Sequence, residues 1–225
     1  MKILALDTAT EGCSVSLGLG DRGIDRYVEL DRGHAEQLLP MIDGVLAEGG
    51  VALSDLDAIA FGRGPGGFTG VRLAASVAQG LAFGAGIGVV PISDLAAVAQ
   101  HVCQRDPSVR RVLVVNDARM REVYWASFEC TDLLASASIE RVGAASGVTL
   151  PEGEGTWAAV GRGLRAWPDL AERCRAAGAT LYPDLLPRAS EILALARSAV
   201  AGGRILDPAD ALPVYVRDNV AVSSR

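Results

Sequence analysis

Ile3-Leu4-Ala5-Leu6-Asp7-Thr8-Ala9-Thr10-Glu11-Gly12-Cys13-Ser14-Val15-Ser16-Leu17-Gly18 decides how the chain folds. An apolar run too short for a helix ends in a polar turn, and the residues after Gly12 alternate with period two. That pattern predicts a buried strand, a tight turn and an antiparallel return. The same phrase recurs further on. Val112-Leu113-Val114-Val115 runs into Asn116-Asp117-Ala118-Arg119, and residues 122–129 return as a strand. We read the two as one structural unit used twice.

Working outward, Gly20-Asp21-Arg22-Gly23 turns the chain into a third strand over residues 23–30. Ala35, Leu38, Leu39, Ile42, Val45 and Leu46 then recur at helical spacing, which predicts an amphipathic helix with a bend or break near residues 36–40, because Pro40 lacks a backbone donor. A strand over residues 56–61 feeds a glycine-rich loop and a helix over 69–83. A short strand over 87–91 precedes a helix capped by Ser93 or Asp94. Beyond the second unit come a strand at 157–160, helices at 169–177 and 188–201, and a closing strand at 212–216. Residues 135–156, rich in Ala, Ser and Gly, give no element. The chain divides into an N-terminal lobe, residues 1–105, and a smaller C-terminal lobe, residues 106–225, whose last segment returns toward the first.

The composition narrows the function. Half of the 225 residues are hydrophobic and 21% are charged, a balance that supports a packed core. The net charge of −6, with no run of Lys or Arg, argues against direct nucleic-acid binding. Cys13, Cys103, Cys130 and Cys174 form no C-x-x-C pair, so reduced thiols are expected rather than zinc or disulfides. Asp7 and Glu11 interrupt any signal-peptide stretch, which points to the cytoplasm and away from membranes.

Asp7 and Thr8 at the end of the first strand suit a carboxylate that holds hydrated magnesium beside phosphate, or a turn aspartate bonding its own backbone. Gly64-Pro65-Gly66-Gly67-Phe68-Thr69-Gly70 stands where a helix N-terminus offers free donors; it can cradle an anion or serve as a turn capped by Thr69. Gly66 and Thr69 join Asp7 and Thr8 as nucleotide candidates. Gly70, Ala74, Ala78 and Ala82 repeat every fourth residue, a smooth strip for internal packing or for a partner helix. His34 and His101 are too far apart for an H-x-x-x-H metal pair and are expected on helix surfaces. No G-x-S-x-G elbow is present.

Leu4-Ala5-Leu6-Asp7-Thr8-Ala9-Thr10, Arg32-Gly33-His34-Ala35-Glu36-Gln37-Leu38-Leu39-Pro40, Gly64 through Arg72, Asp117-Ala118-Arg119-Met120-Arg121-Glu122-Val123-Tyr124 and Pro213-Val214-Tyr215-Val216-Arg217, in this order, resemble the TsaB (YeaZ) family. The chain departs from the family pattern at Gly67, where Ser is common, and at Arg121, where a small residue is frequent. The resemblance implies an α/β fold of the actin-like ATPase (ASKHA) type, two lobes each with a mixed sheet flanked by helices. It implies a non-catalytic subunit that binds the paralogue TsaD and helps recruit the ATPase TsaE, for threonylcarbamoyl transfer to adenosine 37 of tRNA. The tRNA is engaged only through the complex, and the chain alone is expected to homodimerise. No cofactor is expected in the isolated chain, and ATP or ADP only at the complex interface. The implied partner surface is His34, Leu38, Met41 and Ile42 on the first helix with Gly70, Val71, Ala74 and Ala78 on the second. An actin-like ATPase carries Asp-x-Gly in its second turn; here Arg119 takes the place of that glycine. A small-molecule kinase or nucleotide hydrolase of the same fold, or a protease acting on TsaD, stands as the alternative.

Overall fold

A computed structural model describes residues 1–131, 134–137, 139–153 and 155–217. The opening phrase forms β1 (Lys2–Asp7) and β2 (Gly12–Leu19), followed by β3 (Arg22–Glu29), α1 (His34–Gly49), β4 (Ala58–Gly62), α2 (Phe68–Ala85), β5 (Gly88–Ile92) and α3 (Asp94–Arg105). The second half gives β6 (Arg111–Asp117), β7 (Val123–Thr131), β8 (Leu134–Ala137), β9 (Arg141–Gly143), β10 (Trp157–Val160), the single turn α4 (Gly163–Ala166), α5 (Pro168–Ala176), β11 (Thr180–Tyr182) and α6 (Ala189–Ala201). The first sheet has the order β3-β2-β1-β4-β5 and the second β11-β10-β6-β7-β8. Counted from its own first strand, each sheet is an antiparallel meander on one side and two parallel strands on the other. The duplication read from two turns is therefore a duplication of topology, and it builds the two-lobed actin-like architecture.

Strand alternation sets the layers. Leu4 and Leu6 of β1 face α1 and α2, together with Leu38, Ile42, Val45, Ala74 and Ala78. Ile3 and Ala5 face the opposite way, onto Ile192, Leu193 and Ala196 of α6. In the second sheet Val112 and Val114 pack on α3, while Leu113 and Val115 pack against Leu164, Leu170 and Cys174 of α4 and α5. The layers run α1/α2, first sheet, α6 with α3, second sheet, α4/α5. Helix α6 falls after the boundary drawn at residue 105, yet it covers the first sheet.

Several local expectations are corrected. Pro40 does not break α1, which runs unbroken to a left-handed Gly50; Pro40 is exposed, so the backbone carbonyl deprived of its donor can turn to water. Thr69 is not a cap, because α2 starts one residue earlier behind Gly67. Ser93 does cap α3, accepting from the Ala96 N–H at 3.1 Å. Residues 212–216 form no strand: Pro213 has no donor, the Leu212 N–H donates locally to the Asp210 carbonyl at 2.8 Å, and the Val214 N–H donates to the Arg63 carbonyl at 2.7 Å. His101 is not on a surface but buried against Glu191, Nδ1 to Oε1 2.8 Å, which joins α3 to α6. Cys103 and Cys130, expected as free thiols, are joined by a disulfide between α3 and β7; only Cys13 and Cys174 are free.

Gly70 shows why small residues stand on this side of α2. A β-carbon there would lie 2.0 Å from the Thr8 carbonyl oxygen, and one at Gly66 would lie 2.4 Å from that of Ala9. Backbone oxygens cannot step aside as a flexible side chain can. Gly70→Ala is expected to cost on the order of 3 kcal/mol through overpacking. Urea unfolding checks this, and a variant as stable as the parent would contradict the packing.

Candidate functional site

A cleft of about 810 Å³ opens between the lobes, lined by the β1–β2 turn, the start of α2, the β6–β7 turn and Arg162. Of the nucleotide candidates, Thr8, Gly66 and Thr69 line it, but Asp7 does not. Asp7 is wholly buried beneath the cleft. One of its oxygens accepts from the Ala9 N–H at 2.9 Å, and its other oxygen and one oxygen of Asp94, the first residue of α3, are buried with no other hydrogen-bond partner. The second Asp94 oxygen accepts from the Gly64 N–H. Two carboxyls can bond to each other only through a proton. Burial first of all pushes Asp7 up to about 6, against the lowering effect of its hydrogen bonds. Burial and the neighbouring Asp7 push Asp94 well above the carboxylate range. Buried in this way, Asp7 presents no oxygen to the cleft for a hydrated magnesium ion. Thr8 is likewise committed, its Oγ1 donating to the Gly70 carbonyl at 2.7 Å.

The second turn adds its own obstacle. Arg119, Met120 and Arg121 all adopt left-handed backbone, with φ of 59°, 51° and 63°. The turn thus keeps a conformation that glycine would favour, although side chains occupy it. The Arg119 guanidinium reaches Asp117 at 3.2 Å and, across the cleft, Glu11 at 3.1 Å. Arg162 crosses from the same lobe to Glu11 and Glu29, and holds Glu29 below its ordinary range. Ion pairs thus bridge the two sides of the cleft, and Arg119 and Arg162 already have carboxylate partners. Glu11, Glu29, Asp94 and Arg162 were not among the sequence's site candidates; Asp94 was named there only as a possible helix cap and Glu11 only as a charge in the first turn. Each acts across a long separation, and none belongs to a local motif.

The other candidate surface lies on the far side of the first lobe. Leu38, Ile42, Ala74 and Ala78, expected at a partner, are buried against the first sheet, and Val71 is buried as well. Gly70 is pinned on Thr8, and His34 and Met41 are half-buried. The small-residue strip is therefore the helix's inner face. Outward instead point Leu39, 48% exposed, and Phe83, 82% exposed, together with Ser76. Beside them a β-carbon at Gly44, Gly80 or Gly84 would meet nothing within 4 Å. These glycines weaken their helices by about 1 kcal/mol each relative to alanine, with no tight contact inside the chain to explain them.

A family model described as "TsaD: tRNA N6-adenosine threonylcarbamoyltransferase" matches residues 28–221. The Escherichia coli tRNA threonylcarbamoyladenosine biosynthesis protein TsaB is 40% identical over 98% of this chain and 96% of its own length. The chain belongs to the TsaB family. A solved structure of Pseudomonas aeruginosa YeaZ superposes with a TM-score of 0.88 at 43% identity, covering 95% of this chain and 99% of that one. A second Pseudomonas aeruginosa structure, described as an uncharacterized protein with similarity to peptidase YEAZ, gives 0.89 at 42% identity over 96% and 99%.

In this TsaB-family chain the shared proton makes stability pH-dependent. In the folded chain burial lifts Asp7 to about 6, above the ordinary carboxylate value of 3.8. The folded state therefore binds the proton more tightly, and the gain is complete below about pH 4 and lost as pH rises through 6. Asp94→Asn keeps a donor toward Asp7 without needing that proton. The variant is expected to be more stable than the parent at pH 8 by about 1–3 kcal/mol, and flatter from pH 5 to 8. Thermal melts of both proteins across that range check it; parallel curves would refute the shared proton.

Proposed function

We propose that this chain works in the biosynthesis of threonylcarbamoyladenosine in tRNA, as a non-catalytic subunit that binds TsaD and helps recruit TsaE. The observation that carries the reading is the outward face of α1 and α2, with helix glycines at Gly44, Gly80 and Gly84 open to solvent beside exposed Leu39 and Phe83. Small residues on one helix pair let another approach closely, and the flanking apolar side chains supply area to bury. Without TsaD the same face is available to a second copy of the chain, so a homodimer belongs to this reading. Contact with tRNA then falls to the complex.

The cleft supports the non-catalytic half of the proposal. Asp7 is sealed with Asp94, and Arg119 and Arg162 are already paired, so the lining does not fit magnesium-bound ATP held by this chain alone. A kinase or hydrolase would need Asp7 to turn into the cleft; tight ATP binding by the isolated chain, abolished by Asp7→Ala, would favour that alternative. The protease reading finds no arranged base: His101 is buried on Glu191, and His34 has Nε2 on the Thr10 carbonyl at 2.9 Å.

Gly80→Arg separates binding from folding. Arginine is the better helix former, so the variant should melt at or above the parent temperature. Its side chain projects into the proposed seam, so affinity for TsaD, read by calorimetry, should fall at least about 100-fold through desolvated charge and lost packing. A well-folded variant that binds TsaD like the parent would show that this face is not the docking surface.

A further inference from the structure

Cys103 stands in the last turn of α3, fully buried beside Val102 and Val112. Cys130 stands near the end of β7 and is half-buried. Their Cα atoms are 5.4 Å apart and their sulfurs are bonded. Around the bond, the Cys130 N–H donates to the Arg110 carbonyl at 2.9 Å, and Gln100 of α3 accepts from the Ala135 N–H of β8 at 3.0 Å. The bond therefore fixes the C-terminal end of α3 to the β7–β8 edge of the second sheet, while Asp94 fixes the other end to the first. The two remaining thiols are unreactive by comparison. Cys13 and Cys174 are both buried, and burial pushes each up to about 11, which leaves almost no thiolate at neutral pH.

We propose that Cys103 and Cys130 form a reversible thiol–disulfide couple, entered through Cys130 by a low-molecular-weight thiol of the glutathione class. A thiolate attacks the Cys130 sulfur, forming a mixed disulfide there, and the Cys103 sulfur leaves with the electron pair and takes a proton. A second thiolate attacks the small-molecule sulfur of the mixed disulfide and releases Cys130. The sum is one protein disulfide and two small thiols converted to two protein thiols and one small disulfide; oxidation is the same path reversed. Cys130 is the point of entry because Cys103 is walled in by the core. The outcome is a second lobe held covalently on α3 when oxidised and tied there only by non-covalent contacts, packing and the Gln100–Ala135 hydrogen bond, when reduced. Where the glutathione pool is reducing, such a bond is regulatory rather than permanent.

The test uses the whole chain equilibrated in buffers of varied reduced and oxidised glutathione, acid-quenched and weighed intact. The oxidised chain should weigh two hydrogens less than the reduced one. It should also melt about 5–10 °C higher, as expected for a bridge that closes a loop of 27 residues in a chain of this size. Cys103→Ser should take up one glutathione from the oxidised pool at Cys130, whereas Cys130→Ser should take up none. A parent chain that stays fully reduced in the most oxidising buffer overturns the proposal. So does a bond that persists in the most reducing one, or a melting temperature that does not follow the buffer. Should either single variant fail to fold, the parent titration alone still decides between these outcomes.

Discussion

Helix α3 is held at every level of its length by a group that must be matched. Its first residue puts a carboxyl against Asp7, its middle puts His101 on Glu191 of α6, and its last turn carries a sulfur bonded to β7. Buried polar groups of this kind are costly unless satisfied. Each match also fixes where a neighbouring element must lie: the end of β1, the inner face of α6 and the edge of the second sheet. The middle layer of the molecule is thereby registered against both sheets. Around Glu191, burial would raise the carboxyl, yet the hydrogen bonds from His101 and Ser190 bring it below its ordinary range, so the contact favours the anion.

The chemistry of the cleft follows from the same economy. An aspartate at the end of the first strand can face a phosphate-bound cation or face inward, and here α3 supplies the inward partner. Across the opening, Arg119 and Arg162 satisfy Glu11 and Glu29 rather than waiting for an anion. Exposed pairs of this type contribute little stability individually. Their effect is on occupancy, since an entering phosphate would have to displace carboxylates already in place.

Much of this was legible in the chain. Period-two alternation after Gly12 and the repeated Asp-containing turn gave the β1–β2 and β6–β7 hairpins, and the spacing of Leu38, Ile42 and Val45 gave the inner stripe of α1. What stayed hidden depended on direction or distance. Helix α2 is apolar or small almost all round, so periodicity does not say which side meets the sheet; its inner strip was left open between internal packing and a partner helix, and the family resemblance placed it at the partner. Residues 134–137 and 141–143 form short strands that owe their pairing to β7 rather than to their own pattern. The partnership of Asp7 with Asp94, and of Cys103 with Cys130, appears only when the sheets are built. Arg119 carried its signal in part: the loss of glycine was visible, but the retention of the left-handed backbone was not.

Residues 205–217 leave α6 and run over the first lobe. Leu206 exchanges backbone hydrogen bonds with Val89 of β5, Pro208 accepts from Gln79, Val214 bonds to Arg63, and Arg217 reaches the Ala118 carbonyl of the second lobe. Strand β5 is the open margin of its sheet, and an open margin invites strands from other molecules. The returning chain occupies that margin at Val89 with its own backbone, so a segment that belongs to no sheet guards the molecule against sheet-to-sheet aggregation.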